Sequence, residues 1–449
     1  MKKTKIRKSK SKTSFFQTSL FSYLIFLILL ALGAFLFGVF VNSDGSGSGE
    51  FAHYSGPVLP MTSLNGAEGV EVSRNVNFDF SPYQTPNTYH HGVKGAAEIT
   101  DTYVLTNTTD ETKTLDLAYA FQGSFNDQPG EFPTITVDGV VIQPQLCPSI
   151  DPDKQIYYSG NFEKYSRTME ENDFLGIATQ QIEAPDIPAT AYHFTDFAYN
   201  GTVSALNPML TLRCKLDENT IVWAMGLTKF ETEKDGRQLM MFSVDQDEAW
   251  LFTAGGTLID PEFGGNKSWY IEKDSAIEGV TFQLETYETT LIDAIQKCAE
   301  NYPDFDEGIM PRELLWECAA RRIQTLGYPE RPGITSFDSL FYEVINEIRL
   351  MYMVFPVELD PGDSITVEAT YIQEPSWDGA GPKQFREGYD LATKLGSDLN
   401  FTTLSASLSN TDFINLGEQN FGFDLERGIT SVMLDLQIER YYIEVYIKK

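Results

Sequence analysis

An uncharged apolar segment of 22 residues, residues 20–41 (LFSYLIFLILLALGAFLFGVFV), lies close to the N-terminus. As a helix rising about 1.5 Å per residue, it would be about 33 Å long, enough to cross a hydrocarbon core of about 30 Å. Its only polar side chains are Ser22 and Tyr23, near one end, where a tyrosine hydroxyl can lie at the headgroup level. The segment therefore predicts a transmembrane helix, and the lipid bilayer is its predicted partner.

The charges on either side of this segment predict its orientation. Before it, residues 1–19 contain seven basic side chains and no acidic one, and the first acidic residue of the chain is Asp44. Basic flanks stay in the cytoplasm, so residues 1–19 are predicted to be a cytoplasmic tail. The remainder of the chain is then expected on the extracytoplasmic side of the cell membrane, as the domain of a single-pass signal-anchor protein.

A cleaved signal peptide is the alternative to an uncleaved anchor. Val41-Asn42-Ser43 offers small residues at which cleavage could occur, but the apolar run is longer than the usual core of about 7–15 residues. Residues 42–50 (NSDGSGSGE) follow, and their glycines and serines are typical of a flexible linker. The folded part is expected to begin at about residue 51.

The charge balance argues against nucleic acid as a partner. The chain has 33 basic and 64 acidic side chains, which gives a formal net charge of −31. Phosphate binding requires a basic face, which this composition does not supply. The apolar fraction of 42% is enough for real hydrophobic cores, so a largely disordered chain is also excluded.

Residues 51–288 have the pattern of antiparallel strands. Residues 115–121 alternate between apolar and polar or small side chains, and residues 99–106 are rich in β-branched and aromatic types, so the two runs are predicted to form a hairpin. Asp138-Gly139, between two apolar runs, predicts a second hairpin, because both turn positions need a positive φ. A third is predicted around residues 234–236.

Residues 289–353 change to helical spacing. Three helices are predicted, the last of them with an apolar face that extends from Phe337 through Ile348 to Tyr352. Thr335 or Ser336 is expected to cap its start. About 65 residues make a marginal core alone, so this helical insert is expected to pack against a sheet.

Residues 354–449 return to β patterning. A strand, the turn Asp360-Pro361-Gly362-Asp363 and an alternating strand that ends at Tyr371 follow one another. This pattern resembles the hairpins of immunoglobulin-like extracellular modules, over about a tenth of the chain, and no functional residue is carried over from it. The predicted fold is therefore mainly β, an antiparallel sandwich-like ectodomain with a short helical insert.

The four cysteines face an oxidising compartment in this orientation. Cys298 and Cys318 lie on the apolar stripes of two consecutive predicted helices, so a disulfide between them would close the connection. The alternative is a pair of buried thiols. No CxxC spacing occurs, so the sequence indicates neither a zinc ribbon nor a thioredoxin-like site.

Two weak patterns remain as candidate sites. Asp304, Asp306 and Glu307 lie between two predicted helices, where they form either a divalent-cation site or a solvated turn. No other cofactor is indicated. Tyr157, Tyr158, Phe162 and Tyr165 form an aromatic cluster that either binds a sugar or partner protein or closes the end of a sandwich.

The sequence predicts a binding or scaffolding ectodomain with an extracellular protein or glycan as partner. No GxSxG, HExxH, Walker A or GxGxxG motif occurs. The alternative is an extracytoplasmic enzyme that acts on glycans through carboxylates dispersed in the sequence, because acid–base pairs form in space rather than along the chain.

Overall fold

The computed structural model describes most of the chain after residue 50. The described residues are 51, 53–84, 95–126, 132–148, 161–171, 187–199, 209–217, 219–244, 248–266, 280–299, 312–326, 333–378 and 386–448. All of them belong to one compact unit. The predicted tail, membrane span and linker lie outside them.

The described residues form a mainly β structure with four α-helices. The strands are β1 Pro57–Val58, β2 Thr62–Ser63, β3 Val70–Asp79, β4 Ala97–Asn107, β5 Lys113–Gly123, β6 Thr134–Val137, β7 Val140–Val141, β8 Gln145–Pro148, β9 Pro188–Tyr199, β10 Met209–Lys215, β11 Ile221–Ala224, β12 Leu227–Thr232, β13 Gln238–Ser243, β14 Glu248–Ala254, β15 Ile259–Asn266, β16 Val280–Thr290, β17 Gly333–Ser336, β18 Arg349–Leu359, β19 Ser364–Gln373, β20 Ser376–Asp378, β21 Arg386–Ala392, β22 Asn400–Ser409, β23 Ile414–Gln419, β24 Ser431–Met433 and β25 Arg440–Ile447. The helices are α1 Phe162–Glu171, α2 Leu291–Ala299, α3 Arg312–Thr325 and α4 Phe337–Asn346. The predicted fold class, mainly β with a short helical block, is confirmed for this part of the chain.

The strands form five sheets, named here in letters. Sheet A has the order β1-β21-β25-β23 with β20 beside β21, sheet B is β2-β5-β18-β8, and sheet C is β24-β22-β3-β4-β19-β6-β7. Sheet D is β16-β9-β14-β11-β17, and sheet E is β12-β13-β10-β15. Most neighbouring strands are antiparallel, and the parallel pairs are β1–β21, β3–β22 and β11–β17.

Sheets B and C pack face to face as a sandwich. Alternate residues of their strands point into one shared core, where the rings of Tyr119 and Tyr371 meet edge to face at 6.1 Å. The predicted hairpin between residues 99–106 and 115–121 is wrong, because β4 belongs to sheet C and β5 to sheet B. The segment around Asp360–Asp363 also crosses between sheets, from β18 to β19.

Asn107 explains why these two segments cross rather than fold back as hairpins. Its fully buried amide nitrogen donates to the backbone oxygens of Glu111, Leu359 and Asp360, and its amide oxygen accepts from Thr109. One side chain thus satisfies backbone groups of both crossings, which stack on each other as β4 pairs with β19 and β5 with β18.

Sheets D and E form a second sandwich around their own apolar cluster. Phe194 of β9 and Leu251 of β14 belong to this cluster, together with Leu212 of β10 and Phe242 of β13. The hairpin predicted around residues 234–236 is confirmed as β12–β13. In the other sandwich, the Asp138-Gly139 hairpin is confirmed as β6–β7, with a positive φ at both turn residues.

Three helices fill the space beside the second face of sheet D. Apolar residues of α2, α3 and α4 share the main core cluster with residues of sheets B, C and D, as the prediction of packing against a sheet required. The third predicted helix is too long: α4 ends at Asn346, and Tyr352 lies in β18, where it pairs with Ala120. Ser336 occupies the N-cap position but makes no side-chain capping bond.

Sheet A joins the beginning and the end of the described chain. β1 pairs with β21, and β25, the last strand, pairs with the other edge of β21. Phe51 and Tyr54 are already buried, so the folded structure starts directly after the predicted linker. None of the described helices is long and apolar enough to cross a membrane, and the predicted span 20–41 lies outside the described residues.

Candidate functional site

A row of stacked rings runs from the surface of sheet D into the protein. His193 stacks on Trp250 at 3.7 Å between ring centroids, with 10° between the planes. Trp250 is followed by Phe252 at 5.9 Å, and Phe252 by Trp223 at 5.6 Å, again nearly parallel. The inner rings, Phe252 and Trp223, share a core cluster with α2, while His193 lies at the outer end with its side chain 19% exposed.

The register of sheet D places these side chains on one face. His193 of β9 lies directly opposite Trp250 of β14 and Glu285 of β16. Tyr287, two residues beyond Glu285, therefore lies on the same face, and its ring meets Trp250 edge on at 6.5 Å. We call His193, Trp250 and Tyr287, with Glu248 and Glu285 at the rim, the aromatic shelf.

The shelf combines exposed and buried groups. Tyr287 is 44% exposed, whereas Trp250 is 6% exposed. His193 Nε2 lies 3.0 Å from Glu248 Oε2, and this pair is partly exposed. The indole Nε1 of Trp250 is buried, and none of the described groups accepts its proton.

The α2 side of the shelf is bounded by Lys297. Its ammonium lies 5.1 Å from the centre of the Trp250 ring, within the range of a cation–π contact. Partial burial raises the pKa of Tyr287 above its ordinary value, Glu285 raises it further, and Lys297 opposes the change. A tyrosine keeps its hydroxyl proton at neutral pH even without this shift, so Tyr287 can donate a hydrogen bond.

Of the predicted aromatic cluster, Phe162 and Tyr165 are buried. They belong to α1 and pack against Leu350 and Tyr352 of β18, on the outer face of sheet B. These two rings are therefore packing residues, which was the alternative to an exposed binding surface. Tyr157 and Tyr158 lie outside the described residues.

A buried ionic cluster fixes α1 to sheet A. The Tyr54 hydroxyl donates to Asp390 Oδ2 at 2.5 Å, and Arg440 Nη2 lies 3.1 Å from the same carboxylate. Arg440 also lies over the ring of Phe162 and 3.8 Å from Glu163 Oε1. Burial raises the pKa of Asp390, although Arg440 and Tyr54 both oppose this change. Since Asp390 is 3% exposed, this cluster holds elements together rather than presenting a surface.

The predicted cation site, Asp304, Asp306 and Glu307, lies outside the described residues. Within the described part of the chain, no group of three or more His, Cys, Asp or Glu side chains is arranged to hold a metal ion. The prediction of a cation there stays a prediction.

The predicted disulfide between Cys298 and Cys318 is not formed in the structure, where both are buried free thiols. The reason is that their side chains have different neighbours. Arg349 Nη1 lies 3.4 Å from Cys318 Sγ, while the Cys298 thiol lies beside the Trp223 indole. Burial raises the pKa of Cys318 to about 12.

The shelf was missed in the sequence because its members are far apart along the chain. His193, Trp250 and Tyr287 come from three strands, and their meeting depends on the order β16-β9-β14. The alternation of Tyr192 and Phe194 with polar or small residues could have indicated β9, but not its neighbours. Neither the protein-family models nor the curated protein sequences compared with this chain give a match.

Proposed function

We propose that the protein is a membrane-anchored binding domain on the extracytoplasmic side, and that the aromatic shelf is its binding site. The observation that carries the proposal is the exposed ring of Tyr287 beside the His193–Trp250 stack, with two carboxylates at the rim. Rings that are held rigidly give a large contact area at a low cost in conformational entropy.

The anchoring is supported by the order of segments at the N-terminus. A basic tail, the apolar residues 20–41 and a Gly/Ser-rich linker precede Phe51, whose side chain is buried. This order of segments is typical of a folded unit tethered to a membrane.

Cysteine labelling of intact cells tests the proposed orientation. Val140→Cys introduces a thiol at a 66% exposed position of the folded unit, and Lys10→Cys introduces one in the tail. Both are made with Cys147→Ser, which removes the half-buried native thiol. A membrane-impermeant maleimide should label Val140→Cys in intact cells and Lys10→Cys only after permeabilisation. The reverse pattern contradicts the orientation.

Photo-crosslinking tests the binding role without assuming a ligand. A benzophenone amino acid replaces Tyr287 in the shelf, and in a control chain it replaces Tyr342, which is 70% exposed on α4. Illumination of intact cells should give a discrete adduct from position 287 and none from position 342. No adduct at 287, or equal adducts at both positions, contradicts the proposal.

A second candidate function, an extracytoplasmic enzyme acting on glycans, is supported by the two rim carboxylates. The Cα atoms of Glu248 and Glu285 are about 12 Å apart, from the usual strand spacing and rise, so their side chains can approach the separations of about 5–10 Å used in glycoside hydrolysis. Glu248→Gln and Glu285→Gln should each abolish hydrolysis of a bound glycan if this function is correct. Binding without turnover by the unmodified protein contradicts it.

A further inference from the structure

We infer that the aromatic shelf binds an uncharged oligosaccharide of pyranose sugars. The inference rests on the proposed function and names the ligand class of the same site. It follows from three properties of the shelf: an exposed ring, polar groups close to that ring, and a negative rim.

The exposed ring supplies the stacking surface. A pyranose ring presents a face of C–H groups, which is apolar and packs against an aromatic ring. Tyr287 is 44% exposed and its ring meets Trp250 edge on at 6.5 Å, and the Trp250 ring is stacked between His193 and Phe252. A sugar that covers Tyr287 would therefore bury apolar surface without ordering a mobile side chain.

The polar groups around the ring match the hydroxyls of a sugar. Glu285 is exposed and Glu248 is partly exposed, so both carboxylates can accept hydrogen bonds from hydroxyl groups. The Tyr287 hydroxyl can donate, since a tyrosine keeps its proton at neutral pH. A few polar groups next to an apolar surface are typical of sites that fix the orientation of a small molecule.

The charge of the rim selects among glycans. Glu248 and Glu285 would repel uronates, sulfates and phosphates, and the chain as a whole has a formal net charge of −31. Lys297, which lies over the Trp250 ring, offsets one of these two formal charges, so the rim keeps a net negative charge. The shelf should therefore prefer neutral hexose or N-acetylhexosamine oligomers to acidic ones.

Calorimetric titration of the full chain in detergent tests the inference with three probes. These are hexaoses of neutral hexose, of N-acetylhexosamine and of uronic acid. At least one neutral probe should bind and the uronic acid probe should not. Tyr287→Ala should weaken binding about tenfold, which corresponds to about 1.4 kcal/mol. Tyr342→Ala, which removes a more exposed tyrosine elsewhere, should leave the affinity unchanged within about twofold.

His193→Ala serves as a second variant at the shelf, because it removes the support of Trp250 while leaving Tyr287 in place. It should also weaken binding, and circular dichroism should show that both shelf variants are folded. The inference is overturned if no neutral probe binds, if the uronic acid probe binds best, or if Tyr342→Ala has the same effect as Tyr287→Ala. A protein adduct at position 287 with no sugar binding would overturn the ligand class but keep the proposed function.

Discussion

Replacing Asn107 by alanine should destabilise the protein far more than a surface asparagine would. Asn107 is fully buried and bonds to both segments that cross between sheets B and C. Its amide nitrogen lies 2.7 Å from Glu111 O, 3.1 Å from Leu359 O and 3.2 Å from Asp360 O. Its amide oxygen accepts the Thr109 N–H at 3.0 Å.

The expected cost follows from these bonds. A net hydrogen bond contributes about 1 kcal/mol, and a buried group left without a partner costs about 1–3 kcal/mol. Alanine removes the two amide hydrogens and the acceptor, and it leaves the Leu359 carbonyl buried. The free energy of unfolding should therefore fall by about 3–4 kcal/mol, out of a typical total of about 5–15 kcal/mol.

Urea unfolding followed by tryptophan fluorescence measures this loss. The matched control is Asn75→Ala, because Asn75 is exposed on sheet C and accepts one bond, from Ser405 Oγ. We expect Asn75→Ala to change the free energy of unfolding by less than about 0.5 kcal/mol. A loss below about 1 kcal/mol for Asn107→Ala, or equal losses for both variants, would refute this account of the crossings.

Four further predictions concern buried groups. Burial raises the pKa of seven tyrosines above its ordinary value; they are Tyr54, Tyr83, Tyr103, Tyr119, Tyr165, Tyr371 and Tyr389. These tyrosines should therefore ionise only as the protein unfolds at alkaline pH. Ultraviolet absorbance that shows them titrating reversibly in the folded state would contradict this. Arg74→Met removes the ion pair of the buried Asp101 carboxylate, which keeps its bond from the Tyr103 hydroxyl, and should cost about 3–5 kcal/mol in urea unfolding; a cost near zero would contradict this. Burial raises the pKa of Asp390, so the contribution of this group to stability is present below the ordinary carboxyl pKa and is lost as the pH rises through the higher folded value. Over that pH range the unmodified protein should lose stability relative to Asp390→Asn. An opposite slope would be inconsistent with the raised pKa. With a thiol reagent at neutral pH, the half-buried Cys147 should react before the three buried cysteines, and equal rates would contradict their burial.

Local turn chemistry could be predicted from the sequence, but the choice of strand partner could not. Asp138-Gly139 forms its hairpin because two residues with positive φ determine the reversal by themselves. The connection after β4 also looks like a hairpin loop, but Asn107 directs it across to sheet B through bonds to Leu359 and Asp360. Those partners lie about 250 residues away in the sequence.

The end of α4 illustrates a second limit. Ile348 and Tyr352 continue the apolar spacing of a helix, but residues 349–353, which include Tyr352, also fit a strand buried on both faces. Tertiary pairing decides between them, because β18 pairs with β5 along its whole length. The candidate site has the same dependence: His193, Trp250 and Tyr287 meet only after three strands take their order in sheet D.

Photo-crosslinking at position 287 in intact cells tests the central claim most directly, because it asks whether the aromatic shelf contacts a ligand where the protein acts. The account predicts a discrete adduct from position 287, none from position 342, and loss of the adduct when His193→Ala is added. No adduct at 287, or an adduct that His193→Ala leaves unchanged, would contradict the assignment of the shelf as the binding site.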